Sequence, residues 1–229
     1  MKDTVEVTSV VDGRFDRHAF ATPEFPMPEG GLNIRLGDHW IPQEARIIDH
    51  KRFAAEAFAR ANRIDRRVMG KPGAKIGFVA AGKNWLDLVH AFSLLGIDEG
   101  EAERLGITTY KIAQTWPMDM VSFHDWADDL DLIVVVEEKR KLIEVQIKEA
   151  IFDDRQGRRV YGWYKGGAGG LHQEELFPTR FALDPVMIAE KIGGILIEEG
   201  RRTDALEAAM ERLAQTRRAE NAPEIATRT

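Results

Sequence analysis

The sequence predicts an α/β fold, in which helices cover both faces of a parallel or mostly parallel β-sheet. Leu132–Val136 is a continuous apolar run, the pattern of a strand that is buried on both faces. Charged residues follow at once, namely Glu137, Glu138, Lys139 and Arg140, and apolar residues then recur at helical spacing. Strand–helix units of this kind occur about four times, an alternation that is typical of parallel sheets.

The composition is that of an ordinary globular protein and excludes several kinds of site. The 229 residues suffice for one large or two small domains, and the net charge of −6 gives no argument for binding to nucleic acid or an anionic membrane. Because cysteine is absent, this chain has no disulfides, no thiolate-held clusters and no cysteine nucleophile. No apolar segment approaches the roughly 20 residues that cross a bilayer, and the polar N-terminus is no signal peptide. We expect a cytoplasmic protein.

The N-terminal part lacks a regular pattern. Residues 1–49 show no sustained periodicity, although Val5–Val11 favours a short edge strand. An irregular start of this length indicates an arm that wraps a neighbouring domain, or a piece of a longer polypeptide. Asp49–Arg63 is an alanine-rich predicted helix with Asp49 as its N-cap. The glycines and proline of Gly70–Gly73 mark the entrance to the main domain.

Strands and helices then alternate. Lys75–Gly82 is a predicted buried strand, and the helix after it ends at Gly96 and has one apolar face, formed by Trp85, Leu88, Val89, Phe92 and Leu95. Asp98 with Glu101 begins a short helix in the manner of a capping box. A second strand follows over Ile107–Ala113.

The second half continues the alternation. Pro117 starts or redirects a helical turn, a helix is predicted over Ser122–Leu130, and the helix after Leu132–Val136 begins at the charged residues. Arg158–Gly167 is a fourth strand, broken by Gly162. Two helices complete the chain: one starts at Asp184-Pro185 and buries Ile188, Ile192, Ile195 and Leu196, and one starts at Thr203 and buries Leu206, Met210 and Leu213. Residues 217–229 have the composition of a linker.

Two candidate sites lie at predicted strand ends. Gly82, Lys83 and Asn84 stand between a strand and a helix N-terminus, where backbone N–H groups and a lysine suit a phosphate or carboxylate. Their spacing matches neither the P-loop nor the dinucleotide fingerprint, and an ordinary turn and cap is the favoured interpretation. Glu137 and Glu138 allow three interpretations: acid–base catalysis, local ion pairs at a helix start, or a contact surface for another domain.

The remaining chemistry-bearing residues predict no site. The glycines at positions 166, 167, 169 and 170 resemble a phosphate cradle in composition only, and a flexible loop is the favoured interpretation. The six histidines show no metal-binding spacing, and there is no nucleophile-elbow motif. The residues by themselves therefore name no reaction.

Five segments in a fixed order resemble a specific family. They are residues 28–38, 43–62, 80–98, 102–119 and 130–153, of which the last contains the apolar run Leu132–Val136 and the charged residues after it. Together they resemble the long indolepyruvate ferredoxin oxidoreductases, which belong to the thiamine-diphosphate-dependent 2-oxoacid oxidoreductases. The resemblance thins after about residue 155.

The resemblance implies a fold and a place in a larger enzyme. The fold is similar to the C-terminal domain of transketolase, a three-layer α/β/α sandwich around a mostly parallel five-stranded sheet. The domain lies between those that bind the pyrimidine and the pyrophosphate of thiamine diphosphate. The corresponding division is residues 1–70 as an irregular arm plus connecting helix, 71–200 as the α/β domain, and 201–229 as a C-terminal helix and linker.

The resemblance also implies a reaction, in which the full-length enzyme converts an arylpyruvate and coenzyme A (CoA) to an acyl-CoA with reduction of ferredoxin. Thiamine diphosphate, Mg²⁺ and 4Fe-4S clusters serve that enzyme, yet this chain has neither the cluster cysteines nor a thiamine-diphosphate magnesium motif. We therefore expect an inactive chain that binds no cofactor and acts as a docking domain. Its interface residues are Trp116, Pro117, Glu137, Glu138, Lys139 and Arg140. The alternatives are a stand-alone nucleotide- or CoA-binding module that uses Gly82, Lys83 and Asn84, and a protein-interaction domain.

Overall fold

The computed structural model describes residues 20–33, 35–166 and 175–220. Its strands are β1 (Arg66–Met69), β2 (Ile76–Ala81), β3 (Ile107–Ile112), β4 (Leu132–Val136) and β5 (Arg159–Tyr161). Its helices are α1 (Trp40–Arg46), α2 (Arg52–Ala61), α3 (Gly82–Leu94), α4 (Glu99–Leu105), α5 (Met120–Ala127), α6 (Leu142–Ala150), α7 (Pro185–Glu198) and α8 (Asp204–Glu220). A π-helical turn over Ile47–Lys51 joins α1 to α2.

The strands form one five-stranded sheet in the order β1-β3-β2-β4-β5. Only β1 runs antiparallel to its neighbour, so the predicted mostly parallel sheet is confirmed. In the central register Phe78 lies opposite Thr109 on one side and Val134 on the other. Since β2 and β4 have a strand on each side and helices above and below, their continuous apolar sequences are almost fully buried.

Helices cover both faces of the sheet, because successive side chains of a strand point to opposite faces. On one face Phe78, Val134 and their alternate neighbours pack against α3, α4, α7 and α8. On the other face Val79, Ile133 and Val135 pack against α5 and α6. This is the three-layer sandwich that the family resemblance implies, with helices on both faces as the sequence pattern predicts.

The local signals at the helix ends are confirmed. The Asp98 carboxylate accepts a hydrogen bond from the Glu101 amide at 2.8 Å, and Asp184 accepts one from the Met187 amide at 2.8 Å. Pro185 is the first residue of α7, whose predicted stripe of isoleucines and leucine is fully buried. Gly106 ends α4 with a φ of 65°, a conformation that suits glycine.

Several predicted boundaries and faces are wrong. Asp49 is no N-cap, because the helix already starts at Trp40, where His39 caps it, and continues through the π-helical turn. The charged residues after β4 form a bend with Lys139 at a φ of 64°, so α6 begins only at Leu142. Val89 is 46% exposed, since α3 turns its opposite side to α7.

The two ends of the chain differ from the prediction as well. The sequence does not predict strand β1. It is an edge strand that consists of two arginines followed by Val68 and Met69, so it has no clear apolar pattern. Helix α8 extends to Glu220, so residues 217–220 are helical and not linker. The predicted strand over 5–11 and the segment 221–229 lie outside the described residues. The division at residues 70 and 200 stays a prediction, although β1 and α8 pack into the same sheet and core as the segment between them.

None of the helices in the described ranges is long and apolar enough to cross a bilayer.

Candidate functional site

The candidate site lies at the carboxyl edge of the sheet, between β2 and β4. The chain runs from β2 to β3 on one side and then crosses to β4 on the other, so the connections diverge at this point. In open α/β sheets ligands bind in the crevice outside the carboxyl ends of the strands at such a switch point. Gly82–Asn84 follow β2 and Glu137–Glu138 follow β4, so the structure brings both predicted sites to one place.

The chain itself closes this crevice. The Lys83 ammonium donates a hydrogen bond to the Leu183 carbonyl at 2.8 Å, and the Glu138 carboxylate accepts one from the Leu183 amide at 2.9 Å. Leu183 is only 2% exposed and belongs to the core between the sheet and α7. We call Lys83, Glu138 and Leu183 the Leu183 clamp. It holds the segment before α7 across the two strand ends.

The other contacts of the clamp are also internal. Lys83 pairs with Asp87 one turn further along α3, at 2.5 Å, and Lys139 lies 3.7 Å from the Glu138 carboxylate. The Lys83 ammonium is thus shared between a carboxylate and a carbonyl of its own chain. Lys83 and Glu138, two of the residues that the sequence offered for binding or catalysis, therefore make contacts that stabilise the fold at this edge.

Glu137 caps the next helix. Its two carboxylate oxygens accept hydrogen bonds from the amides of Leu142, Ile143 and Glu144, at 2.9 to 3.2 Å. Lys141, the residue immediately before α6, makes no side-chain capping hydrogen bond. The cap is instead supplied by Glu137, which lies five residues before Leu142, the first residue of α6. Burial raises the pKa of the Glu137 carboxyl above its ordinary value, and the three amides act in the opposite direction.

Replacing Glu137 by alanine is expected to lower the free energy of unfolding by ~1–2 kcal/mol, because the first amides of α6 lose their acceptor. Urea unfolding measures this loss.

Glu137→Gln should lower the free energy of unfolding less than Glu137→Ala does. Comparing the pH dependence of stability between Glu137→Gln and the natural chain tests whether the pKa of Glu137 is raised. Because the pKa of Glu137 is raised in the folded state, its buried negative charge destabilises the fold at pH values above that pKa. This cost disappears as the pH falls through the folded-state pKa, since the carboxyl group is then protonated. The natural chain should therefore gain stability over Glu137→Gln as the pH falls from 7 toward 4.5, the ordinary pKa of a glutamate. The opposite trend would mean a lowered pKa.

Asn84 is a polar residue at this edge whose side-chain oxygen lacks a partner among the described residues. It is 8% exposed, and its side-chain carbonyl oxygen is buried without a hydrogen-bond partner in the described part of the chain. Helix α3 starts after Ala81 without a side-chain cap, and Gly82 adopts a φ of 53°. These features fit a turn into a helix, and they leave polar backbone groups available at its start.

Large apolar side chains stand exposed along the same edge. Trp116 is 58% exposed in the loop after β3, Leu142 is 47% exposed at the start of α6, and Phe181 is 86% exposed just before the clamp. Leu86, in the second turn of α3, is 68% exposed. We call these four residues the carboxyl-edge apolar set. Exposed aromatic residues that gather at one edge are typical of a protein contact surface.

The loop that carries Trp116 is fixed on both sides. The Gln114 side chain donates a hydrogen bond to the Pro117 carbonyl at 2.7 Å, and Gln146 of α6 donates one to the Thr115 carbonyl at 2.9 Å. Trp116 is therefore presented to solvent on a braced loop. The sequence singled out Trp116 and Pro117, but it gave no signal for Phe181, which follows no periodic pattern.

The residues that the structure describes do not fit the metal groups of the predicted family. The sequence has no cysteine to bind an iron–sulfur cluster. Across residues 20–33, 35–166 and 175–220, no three histidine, aspartate or glutamate side chains are placed to hold a metal ion. His18, His172 and the glycines at positions 167, 169 and 170 lie outside the described residues, whereas Gly166 is described with a φ of 84°.

Fold and site together define a doubly wound α/β domain whose switch-point crevice is closed by its own chain. A family model described as "Indolepyruvate oxidoreductase domain" matches residues 66–220. The chain belongs to this family, and the predicted relationship to the indolepyruvate ferredoxin oxidoreductases is confirmed. A search of curated proteins found no match.

Two solved structures are similar to the chain. One is a 2-oxoglutarate:ferredoxin oxidoreductase from Magnetococcus marinus, described with 2-oxoglutarate, coenzyme A and succinyl-CoA bound, with 15% identity and a TM-score of 0.42 over 75% of this chain and 26% of that one. The other is a split-gene transketolase, described as an inactive β4 tetramer, with 15% identity and a TM-score of 0.38 over 58% of this chain and 41% of that one. The chain thus spans less than half the length of either structure.

Proposed function

We propose that the chain is a non-catalytic docking domain of a thiamine-diphosphate-dependent indolepyruvate, or arylpyruvate, ferredoxin oxidoreductase. The observation that supports this most is the Leu183 clamp, which fills the ligand crevice of the fold with the protein's own backbone. The whole enzyme would convert a 2-oxoacid to an acyl-CoA. Thiamine diphosphate, Mg²⁺ and 4Fe-4S clusters would be held by its other domains, with CoA and ferredoxin as partners.

The carboxylates at the edge are poorly suited to catalysis. A general acid or base must come within hydrogen-bond reach of the atom whose proton it transfers. Both Glu137 oxygens already accept backbone amides of α6, and Glu138 accepts the Leu183 amide. A substrate would have to displace these bonds to reach either group. We assign both residues to shaping the edge.

The contact itself is assigned to the exposed residues. The carboxyl-edge apolar set supplies aromatic and aliphatic anchors, and Lys139 and Arg140 are exposed beside it. A core of aromatic residues with a charged rim is the usual composition of a specific interface. We propose that the neighbouring thiamine-diphosphate-binding domains of the same polypeptide cover this surface, with Trp116 and Pro117 near its centre.

A turnover assay tests the absence of catalysis. The isolated chain, supplied with an arylpyruvate, thiamine diphosphate, Mg²⁺, CoA and oxidised ferredoxin, should reduce no ferredoxin. CoA-dependent reduction by the chain alone would overturn the proposal. The same preparation, added to the rest of the enzyme expressed without this domain, should raise its activity.

A CoA- or nucleotide-binding module is the second candidate function. It is favoured by the buried, unpartnered carbonyl oxygen of Asn84 beside the uncapped start of α3. The clamp argues against it, because Lys83 is already paired with Asp87 and Leu183. Calorimetric titration with CoA separates the two functions: binding that is lost in Lys83→Ala would support the module, and the docking proposal expects no binding.

A further inference from the structure

The helix that precedes the sheet is anchored at one end only. At its C-terminal end Ala59 is buried, and the Arg60 guanidinium lies 2.8 Å from the Asp119 carboxylate of the sheet domain. In contrast, neither α1 nor the π-helical turn over Ile47–Lys51 has a buried residue. The first three turns of this helix therefore project from the domain with most of their surface uncovered.

One side of this helix is covered by the preceding segment. The Arg46 guanidinium donates hydrogen bonds to the carbonyls of Glu29 and Gly31, and Gln43 donates one to the Asp38 carbonyl at 2.9 Å. The side turned away from these contacts is apolar, with 42–66% exposure at Trp40, Ile41, Ile47 and Ile48. A cluster of large exposed apolar residues on one helix indicates an interaction surface.

The charges around this apolar face are self-complementary. In the run from Glu44 to Lys51, these two end residues carry opposite charges at equal distances from the centre, which lies between the two isoleucines. Arg46 and Asp49 are placed in the same way, although Arg46 is already held by the preceding segment. If two copies of the helix pair antiparallel about that centre, Glu44 of each copy faces Lys51 of the other, and Ile47 faces Ile48. Within the described ranges neither Glu44 nor Lys51 has an ion-pair partner, so both are available for such a contact.

We propose that this helix is a self-association surface, on which the helix of a second copy of the chain packs antiparallel across a two-fold axis. A two-fold interface brings the same patch of both copies together, so a patch must complement itself, as this one does. We infer that the partner is a second copy of this chain, because Glu44 and Lys51 of one copy match Lys51 and Glu44 of the other. The contact is small, and we therefore expect dimerisation to depend strongly on protein concentration.

Charge reversals test this pairing in the complete chain. Glu44→Lys places two lysines opposite each other at both ends of the helix pair, and Lys51→Glu does the same with two glutamates. Each variant should dimerise at least about tenfold more weakly than the natural chain in sedimentation at low salt. A mixture of the two variants, and the chain that carries both reversals, should regain the natural affinity, since every pair is again of opposite charge. Glu149→Lys on the distant surface of α6 is the matched control and should leave dimerisation unchanged.

A second variant removes the apolar contact. Ile48→Asp should give a monomer at every concentration tested, with an unchanged circular dichroism spectrum because the residue is exposed. The proposal is overturned if the natural chain is monomeric at every concentration tested. It is also overturned if the dimer persists in Glu44→Lys and Lys51→Glu, or if their mixture associates no better than either variant alone.

Discussion

Replacing Trp116 and Phe181 together by glutamate is expected to weaken binding of this chain to the thiamine-diphosphate-binding part of the enzyme by about a hundredfold or more. The two side chains are 58% and 86% exposed in the chain alone. If the carboxyl edge is the docking surface, both become buried when the neighbouring domains bind. Aromatic anchors at the centre of an interface commonly contribute ~2 kcal/mol or more each, and a buried, unpaired charge adds to the loss. Calorimetric titration of the two separately produced parts measures the change.

The matched control is Phe152→Glu. Phe152 is 78% exposed, but it follows α6 at the opposite edge of the sheet. The control should bind as tightly as the natural chain, and thermal unfolding should be unaffected in both variants. An equal loss in control and test variants, or no loss in either, would contradict the assignment of the interface to the carboxyl edge.

Replacing Phe78 by alanine should lower the free energy of unfolding by ~3–5 kcal/mol, because it leaves a cavity in a closely packed core. Phe78 stands in the middle of the central strand β2 without solvent exposure, and its ring meets that of Phe92 edge to face at 5.3 Å between centroids. It therefore joins the sheet to α3. Urea unfolding measures the loss.

The control for Phe78 is Leu86→Ala on the outer side of α3, which should change stability by at most ~0.5 kcal/mol because this side chain is 68% exposed. A loss below about 1 kcal/mol for Phe78→Ala would mean that α3 does not pack on β2 as described.

The helices and strands could be predicted from the sequence wherever a pattern of neighbouring residues was sufficient to determine them. β4 is a run of five apolar residues, and burial on both faces needs no partner-specific information to be recognised. Asp184 with Pro185 starts α7 by purely local chemistry. β1 was missed because an edge strand receives its stability from pairing with β3, and nothing in its own side chains reveals that pairing.

The candidate site could be predicted from the sequence only in part. Strand ends and switch points follow from topology, so Gly82–Asn84 and Glu137–Glu138 could be placed at one edge. What closes that edge could not be foreseen, because Leu183 lies 100 residues from Lys83 and 45 from Glu138 along the chain. Its contribution is a backbone amide and carbonyl, which no side-chain motif encodes. The capping role of Glu137 was hidden for a related reason: it depends on the bend at Lys139 that delays the start of α6.

Hydrogen exchange tests the central claim, that the carboxyl edge docks the domain, most directly. Amide exchange is compared between the isolated chain and the complete enzyme, segment by segment. If the carboxyl edge docks the domain, exchange should be slower in the complete enzyme for the carboxyl-edge segments 113–119, 137–143 and 180–184. It should be unchanged for the amino-edge segments 70–74 and 151–158. Protection confined to the amino edge, or equal exchange of the carboxyl edge in both samples, would contradict it.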